Sequence, residues 1–102
     1  MPKKEKRSVL DYLDSYALQI MKPLKNGETT YSDLMIKSNL VRSNFNKRLG
    51  ELLKLKLVRV VYSESRRKPF YSLTPAGKRI LELLEEIEKV YSEQVGELVN
   101  KQ

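Results

Sequence analysis

The sequence feature that most constrains this chain lies in residues 40–57, where apolar side chains recur at helical spacing. Steps of four, three and one residue place one set of apolar side chains on a single helix face. That set comprises Phe45, Leu49, Leu52 and Leu53. Ser43 is a residue type that caps a helix by accepting a hydrogen bond from a first-turn amide. The sequence therefore predicts an amphipathic helix over about residues 43–55, with hydrogen-bond donors crowding the first two turns of its polar face.

A change of period follows this helix. From Val58 to Ser63 the side chains alternate with a period of two and are rich in β-branched and aromatic residues, which is typical of a strand. Residues 63–69 are polar and basic, with no apolar residue before Pro69. Because residues 70–73 resume as a second strand, the sequence predicts a hairpin with a basic tip directly after the helix.

The run from Leu57 to Leu84, LVRVVYSESRRKPFYSLTPAGKRILELL, resembles a segment of small winged-helix transcription regulators of the PadR, MarR and HxlR kind. In those proteins a tyrosine-rich strand ends the wing and is followed by Leu-Thr-x-x-Gly, which here is Leu73 to Gly77. The resemblance covers about residues 28–85. It implies a mainly α fold with a small β-hairpin wing (α+β), which is a winged helix-turn-helix with a long C-terminal dimerisation helix.

One position departs from the pattern of the family. The turn between the helix and the first wing strand usually carries a glycine, and Lys56 stands there in this chain. The resemblance implies one of two outcomes at this position. Lys56 adopts a left-handed conformation at a cost of about 1 kcal/mol, or the turn is built differently.

Two further helices are predicted before the amphipathic one. Ser8 is the candidate cap of a first helix that Pro23 ends or kinks. This helix either covers the core or joins a dimer interface through Tyr12 or Tyr16. Thr30 is the candidate cap of a short second helix over residues 31–37, which buries Leu34 and either Met35 or Ile36. Residues 29–31 are also predicted to form a very short strand beside the hairpin.

A helix-turn-helix places its second helix in the major groove of DNA, where amide and cationic side chains contact base edges and phosphates. We expect Asn44, Asn46 and Lys47 to face the groove, and Arg42 and Ser43 to contact phosphates. The remaining expected DNA contacts are cationic side chains, namely Arg48 on the helix and Arg66, Arg67 and Lys68 at the wing tip. Gly50 lies mid-helix, where its missing side chain allows close approach either to DNA or to the second helix.

The C-terminal helix is predicted to begin near residue 75, with Thr74 as cap and Pro75 in the first turn. Its apolar positions form a heptad-like stripe that is longer than a domain of this size covers. The expected dimerisation residues are Ile80, Leu84, Ile87, Tyr91, Val95 and Leu98. Glutamates are expected to line the solvent side of the helix. The alternative is a single helix that folds back on the first helix.

Charge and composition limit the functions that this chain can have. Residues 1–79 hold 18 Lys and Arg against 7 Asp and Glu, whereas residues 80–102 hold 2 against 6. This division predicts a basic arm in residues 1–7, a DNA-binding domain in residues 8–79 and a dimerisation helix in residues 80–102. Cysteine and histidine are both absent. We therefore expect no metal site, no cofactor and no enzymatic activity.

The predicted function is a sequence-specific regulator of transcription that binds double-stranded DNA as a homodimer, most simply a repressor. The alternative is an architectural, chromatin-type protein that coats DNA with little sequence preference. No apolar run approaches the roughly 18 residues of a membrane span. A cytoplasmic, nucleoid-associated location is therefore expected, without membrane contact, and no residue marks a site for a small-molecule effector.

Overall fold

The computed structural model describes residues 8–96, which form four α-helices and a three-stranded antiparallel sheet. Chain order begins with a 3₁₀ turn, Val9–Asp11, and continues with α1 (Ser15–Leu24), β1 (Thr29–Thr30), α2 (Tyr31–Ser38), α3 (Arg42–Lys54), β2 (Val58–Val61), β3 (Phe70–Leu73) and α4 (Pro75–Val95). This arrangement confirms the predicted mainly α winged-helix fold with a long C-terminal helix. The basic arm in residues 1–7 and Leu98 lie outside the described residues.

The start of α1 differs from the prediction of one helix beginning after Ser8. Ser8 caps only the single 3₁₀ turn, and the chain then becomes extended at Asp14. The Asp14 carboxylate accepts a hydrogen bond from the Ala17 N–H at 2.9 Å, so α1 starts afresh at residue 15. Pro23 occupies the last turn, and the helix ends one residue later.

The boundaries of α2 follow the predicted signals. The Thr30 hydroxyl accepts a hydrogen bond from the Asp33 N–H, and Asn39 ends the helix in a left-handed conformation with φ of 60°. Leu34 is buried and Met35 is partly buried. Ile36 is 73% exposed, which decides between the two predicted core positions in favour of Met35.

Helix α3 begins earlier than predicted. Val41 occupies the cap position and makes no side-chain cap hydrogen bond, whereas Ser43, the predicted cap, lies inside the first turn. The expected apolar face is largely confirmed, because Phe45, Leu49 and Leu52 are buried while Leu53 is partly buried.

The sheet has the order β1-β3-β2, so the second wing strand lies in the middle. Within the wing hairpin, Val58 pairs with Leu73 and Val61 pairs with Phe70. Thr29 of β1 pairs with Tyr71 on the other edge of β3, which confirms the predicted short strand beside the hairpin.

The turn between α3 and β2 adopts the left-handed conformation that the resemblance implied as one possibility. Lys56 has a φ of 63°. The Thr74 hydroxyl donates to the Lys56 carbonyl at 2.7 Å, and the Thr74 N–H donates to the Leu57 carbonyl at 3.0 Å. Thr74 also accepts a hydrogen bond from the Gly77 N–H at 3.0 Å, which caps α4. The same threonine therefore ends the wing, starts α4 and holds the turn after α3.

Gly77 packs against this turn. A Cβ atom added at Gly77 would lie 2.0 Å from the Leu57 carbonyl oxygen, which belongs to the backbone. Only glycine therefore allows α4 to lie this close to the chain entering β2.

The N-terminal half of α4 covers the core and folds back on α1. Leu81 is buried, and Ile80 packs against the core cluster. Ion pairs join the two helices, with Lys25 Nζ 2.8 Å from Glu85 Oε1 and Lys22 Nζ 3.6 Å from Glu88 Oε1. The predicted alternative of packing on α1 therefore describes the first half of α4. Within residues 8–96, no helix combines the length and apolar character needed to cross a membrane.

Two glycine-to-alanine substitutions test the packing of α4. Gly77→Ala is expected to lower the free energy of unfolding by about 2–3 kcal/mol, because the added methyl group collides with the backbone. Gly50→Ala is the matched control, since a Cβ added there meets no atom within 4 Å. That control is expected to raise the free energy of unfolding by about 0.5–1 kcal/mol through helix propensity. Urea denaturation measures both effects, and equal changes would contradict the packing argument.

Candidate nucleic-acid interface

The surface of α3 opposite the core is a line of four residues. Helical spacing places Ser43, Lys47, Gly50 and Lys54 on this line, which is called the outward line here. Ser43, Lys47 and Lys54 are exposed. Because a Cβ at Gly50 would meet nothing within 4 Å, Gly50 does not approach α2 closely, which rules out one of the two alternatives for this residue. Its bare backbone faces open space instead.

A second edge of α3 faces the start of α1. Asn44, Arg48 and Glu51 share this edge by helical spacing, and all three are only partly exposed. The Arg48 guanidinium forms a fork with the Asp14 carboxylate, with Nε 2.8 Å and Nη2 2.5 Å from Oδ2. The guanidinium carbon also lies 5.5 Å from the centroid of the Tyr16 ring. Of the residues predicted to contact DNA, Arg48 is thus one whose charge already has a partner within the fold.

The pairing of Asp14 with Arg48 shifts the pKa of both groups. The hydrogen bond from Arg48 is the main cause that holds the pKa of the Asp14 carboxyl below its ordinary value, and the bond from the Ala17 N–H adds to it. The same hydrogen bond raises the pKa of the Arg48 guanidinium. Sequence reasoning missed this pair, because the two residues lie 34 positions apart and no local pattern joins them.

The third edge of α3 faces the start of α2. The hydroxyl of Tyr31 donates a hydrogen bond to the side-chain carbonyl Oδ1 of Asn46. The Tyr31 ring packs edge-on against Phe45, with ring centroids 5.1 Å apart and planes at 78°. Tyr31 was not among the predicted site residues, although its place at the first position of α2 makes it a neighbour of α3.

At the wing, the three predicted cations occupy different environments. Arg66 Nη1 lies 2.7 Å from Glu28 Oε1, and the guanidinium carbon lies 3.9 Å from the centroid of the Phe70 ring. Arg67 and Lys68 are exposed, and neither forms an ion pair with any residue between 8 and 96. Glu28, which was not among the predicted site residues, therefore holds Arg66 at the base of the wing tip.

A short continuous segment links the wing to α3. Glu28 contacts Arg66 of the wing, β1 follows directly, and Tyr31 contacts Asn46 of α3. The Tyr31 and Tyr71 ring centroids are 6.5 Å apart, so the same segment also packs on β3. The predicted contacts Asn46 and Arg66 are thereby joined through residues 28–31.

The residues predicted for dimerisation divide into two groups. Ile80 packs against the core of its own chain, and Leu84 is partly buried. Ile87, Tyr91 and Val95 are exposed, with Ile87 at 64%. Leu83 and Val90 are exposed with them. The resulting apolar face of α4 comprises Leu83, Ile87, Val90, Tyr91 and Val95.

The glutamates of α4 are less free than predicted. Glu85 and Glu88 pair with lysines of α1, and Glu82 pairs with Arg79 one turn earlier at 3.0 Å. Glu88 remains exposed, as expected, whereas Glu85 is only partly exposed beside Lys25. Across residues 8–96, no group of acidic side chains is arranged to hold a metal ion.

Comparisons with known proteins were made at the levels of sequence and structure. A family model described as winged helix-turn-helix matches residues 14–92. No curated protein matches the chain. Among solved structures, a mutant of Lactococcus lactis ZitR is similar with a TM-score of 0.71 and 20% identity, covering 88% of this chain and 62% of that chain.

Two further solved structures share the fold. The putative transcriptional regulator ytfH from Salmonella typhimurium is similar with a TM-score of 0.70 and 20% identity, covering 89% of this chain and 84% of that chain. A transcriptional regulator of the MarR family from Silicibacter pomeroyi has a TM-score of 0.64 and 20% identity, covering 79% of this chain and 56% of that chain. At these sequence identities, the structural similarity shows a shared fold and no more.

The Asp14–Arg48 pair can be tested by Asp14→Asn, which keeps a good cap residue and removes the carboxylate. We expect this variant to lose about 0.5–1 kcal/mol of unfolding free energy at pH 7, the range for a partly exposed ion pair. The lowered pKa of Asp14 means that this contribution is full above its ordinary value of 3.8 and is lost as the pH falls through the lowered pKa. Urea denaturation at pH 7 and at about pH 2.5 measures the difference.

Glu64→Gln is the control for this test, because Glu64 is an exposed carboxylate in the wing loop. It is expected to change the unfolding free energy by less than about 0.5 kcal/mol at either pH. A deficit of Asp14→Asn that stays the same at both pH values would contradict a charge-based role for Asp14.

Proposed function

Because the chain belongs to the winged helix-turn-helix family, whose members regulate transcription by binding DNA and are not enzymes, we propose that it is a sequence-specific, homodimeric repressor. The proposal assigns residues 8–79 to DNA binding and residues 80–102 to dimerisation. It assigns base reading to α3 and backbone contact to the wing tip.

The outward line of α3 is the observation that carries this proposal. Ser43 has a small side chain and Gly50 has none, whereas Lys47 and Lys54 carry long, flexible, cationic side chains. The major groove of B-DNA is about 12 Å wide and admits an α-helix, whose cationic side chains can reach base edges there. The open space over Gly50 would let the helix backbone approach DNA at the centre of the line.

The contacts within the fold refine the proposed division of labour between side chains. Lys47 and Asn46 are proposed to reach base edges, while Arg42, Ser43 and Lys54 contact phosphates. Asn44 lies nearer α1 and is proposed to contact DNA at the margin of the groove. Arg48 is proposed to set the position of α3 through Asp14 more than to contact DNA itself.

The wing is proposed to lie against the phosphate backbone or the minor groove. Arg67 and Lys68 supply positive charge for this contact, because they are exposed and form no ion pair within residues 8–96. Arg66 is proposed to shape the base of the tip through Glu28 and Phe70, and to add its charge to the local potential.

The apolar face of α4 supports the proposed homodimer. Five large apolar side chains at this end of the helix are exposed and have no partner among residues 8–96, and folded proteins seldom leave such a patch in water. A second copy offers the same face, so a two-fold interface buries both at once. Pairing of Glu85 and Glu88 with α1 lowers the negative charge that would oppose this contact.

One observation favours the alternative of an architectural protein with low sequence preference. The long side chains of the outward line are both lysines, which hold phosphates as point charges without reading a base. Selection of binding sites from random duplexes distinguishes the two functions. A single enriched palindrome is expected for the repressor, and an unenriched pool would favour the alternative.

The DNA-binding proposal predicts different effects for two alanine substitutions. Lys47→Ala is expected to reduce the affinity for the selected site relative to random duplex by about fivefold to tenfold, because it removes a contact in the groove. Arg67→Ala is expected to weaken both duplexes alike and to reduce the salt slope of log K by about 1. Fluorescence anisotropy at several salt concentrations measures both, and equal losses on both duplexes for Lys47→Ala would contradict its assigned role.

The dimer proposal is tested by Ile87→Glu. A charge at the centre of the apolar face is expected to raise the dissociation constant of the dimer by roughly 100-fold or more, because the interface cannot solvate it. The control is Lys89→Glu, which adds negative charge on the opposite side of the same helix. Sedimentation equilibrium measures the mass of each variant. A monomeric wild type, or a dimeric Ile87→Glu variant, would contradict the proposal.

A further inference from the structure

The hydrogen bond between Tyr31 and Asn46 gives the amide of Asn46 a defined orientation. The Tyr31 hydroxyl donates to Oδ1, so the carbonyl of the amide turns towards α2. The amino group Nδ2 points away from that bond, and no acceptor among residues 8–96 receives it. Asn46 itself is exposed. The side chain therefore offers its two N–H donors to the outside and keeps its acceptor occupied.

The Tyr31 hydroxyl is positioned by two contacts of its ring and by the backbone at the start of α2. The ring meets Phe45, the residue before Asn46, in an edge-on contact, and it also packs against Tyr71 of β3. Its backbone is fixed at the first position of α2, directly after the cap Thr30. A ring with these contacts has few alternative rotamers, so the hydroxyl remains directed at Asn46.

This orientation restricts what Asn46 can read. An unconstrained asparagine recognises adenine by placing its carbonyl and amino groups side by side, one accepting from N6 and the other donating to N7. Because the carbonyl is turned towards Tyr31, only the donor remains for a base edge. In the major groove, acceptors without an adjacent donor on the same base belong to guanine, at N7 and O6, and to thymine, at O4.

We propose that Tyr31 is a positioning residue that makes Asn46 a donor-only reader, so that Asn46 selects a G·C pair, whose guanine offers the two neighbouring acceptors N7 and O6, over an A·T pair. This inference rests on the proposed function, because it specifies the base preference of one side chain of the recognition helix. Tyr31 acts through Asn46 and needs no contact with DNA.

The test uses the full chain as wild type, as Tyr31→Phe and as Asn46→Ala, with binding sites selected from random duplexes. Tyr31→Phe keeps the ring and its packing and removes only the hydroxyl. Asn46→Ala identifies the base pair that Asn46 reads, as the position where its preference disappears. At that position the wild type is expected to enrich a G·C pair in either orientation. Tyr31→Phe is expected to improve binding of A·T relative to G·C by about tenfold, the size of one base-directed hydrogen-bond pair.

The outcomes separate this inference from the function on which it rests. If the wild type binds no duplex even at low salt, the DNA-binding proposal fails and the inference fails with it. If the wild type binds a selected site but Tyr31→Phe leaves the base profile unchanged, the inference alone is overturned. Enrichment of an A·T pair by the wild type at that position would also overturn it, because such a pair lacks the two neighbouring acceptors of guanine. A purely structural role for Tyr31 would lower thermal stability without altering base preference.

Discussion

The hydrogen bonds that Thr74 makes to the Lys56 and Leu57 carbonyls are the constraint on which the rest of the fold depends. They join the end of α3, the end of the wing and the start of α4 at one point. Gly77 closes the junction by allowing backbone contact with Leu57. The Leu-Thr-x-x-Gly pattern is therefore more than a family signature. In this chain it is the set of residues that lets three elements meet without a side chain between them.

The recognition helix is braced on each side that does not face outward. Asp14 holds Arg48 on the α1 edge, Tyr31 holds Asn46 on the α2 edge, and the Thr74 junction holds the C-terminal turn. The core fixes the inner face through Phe45 and its neighbours. A helix restrained in this way presents its outward line in one orientation, which is what discrimination between similar base pairs requires.

Local patterns made the fold predictable, whereas long-range partners did not. The spacing of Phe45, Leu49 and Leu52 and the Thr74–Pro75 start of α4 depend on neighbouring residues, so the sequence alone indicated them. The pairing of Arg48 with Asp14 depends on how α1 packs against α3, and no local pattern encodes that. The cap of α3 also differed from the prediction, because Val41 already has the extended backbone that the cap position needs. The assigned DNA contacts remain predictions, since side-chain type indicates chemistry but not which base it meets.

The continuity of α4 has a geometric consequence. This helix runs without interruption from the Thr74 junction, which is rigidly tied to α3, to the apolar face near its other end. In a dimer paired through that face, the separation of the two recognition helices would be set by a stiff rod and not by a flexible linker. Such a dimer would fix the distance between the two half-sites that it binds. It would tolerate changes of base within a half-site more readily than a change in the number of base pairs between half-sites, because each added pair turns one half-site about the DNA axis, with roughly 10 pairs to a full turn.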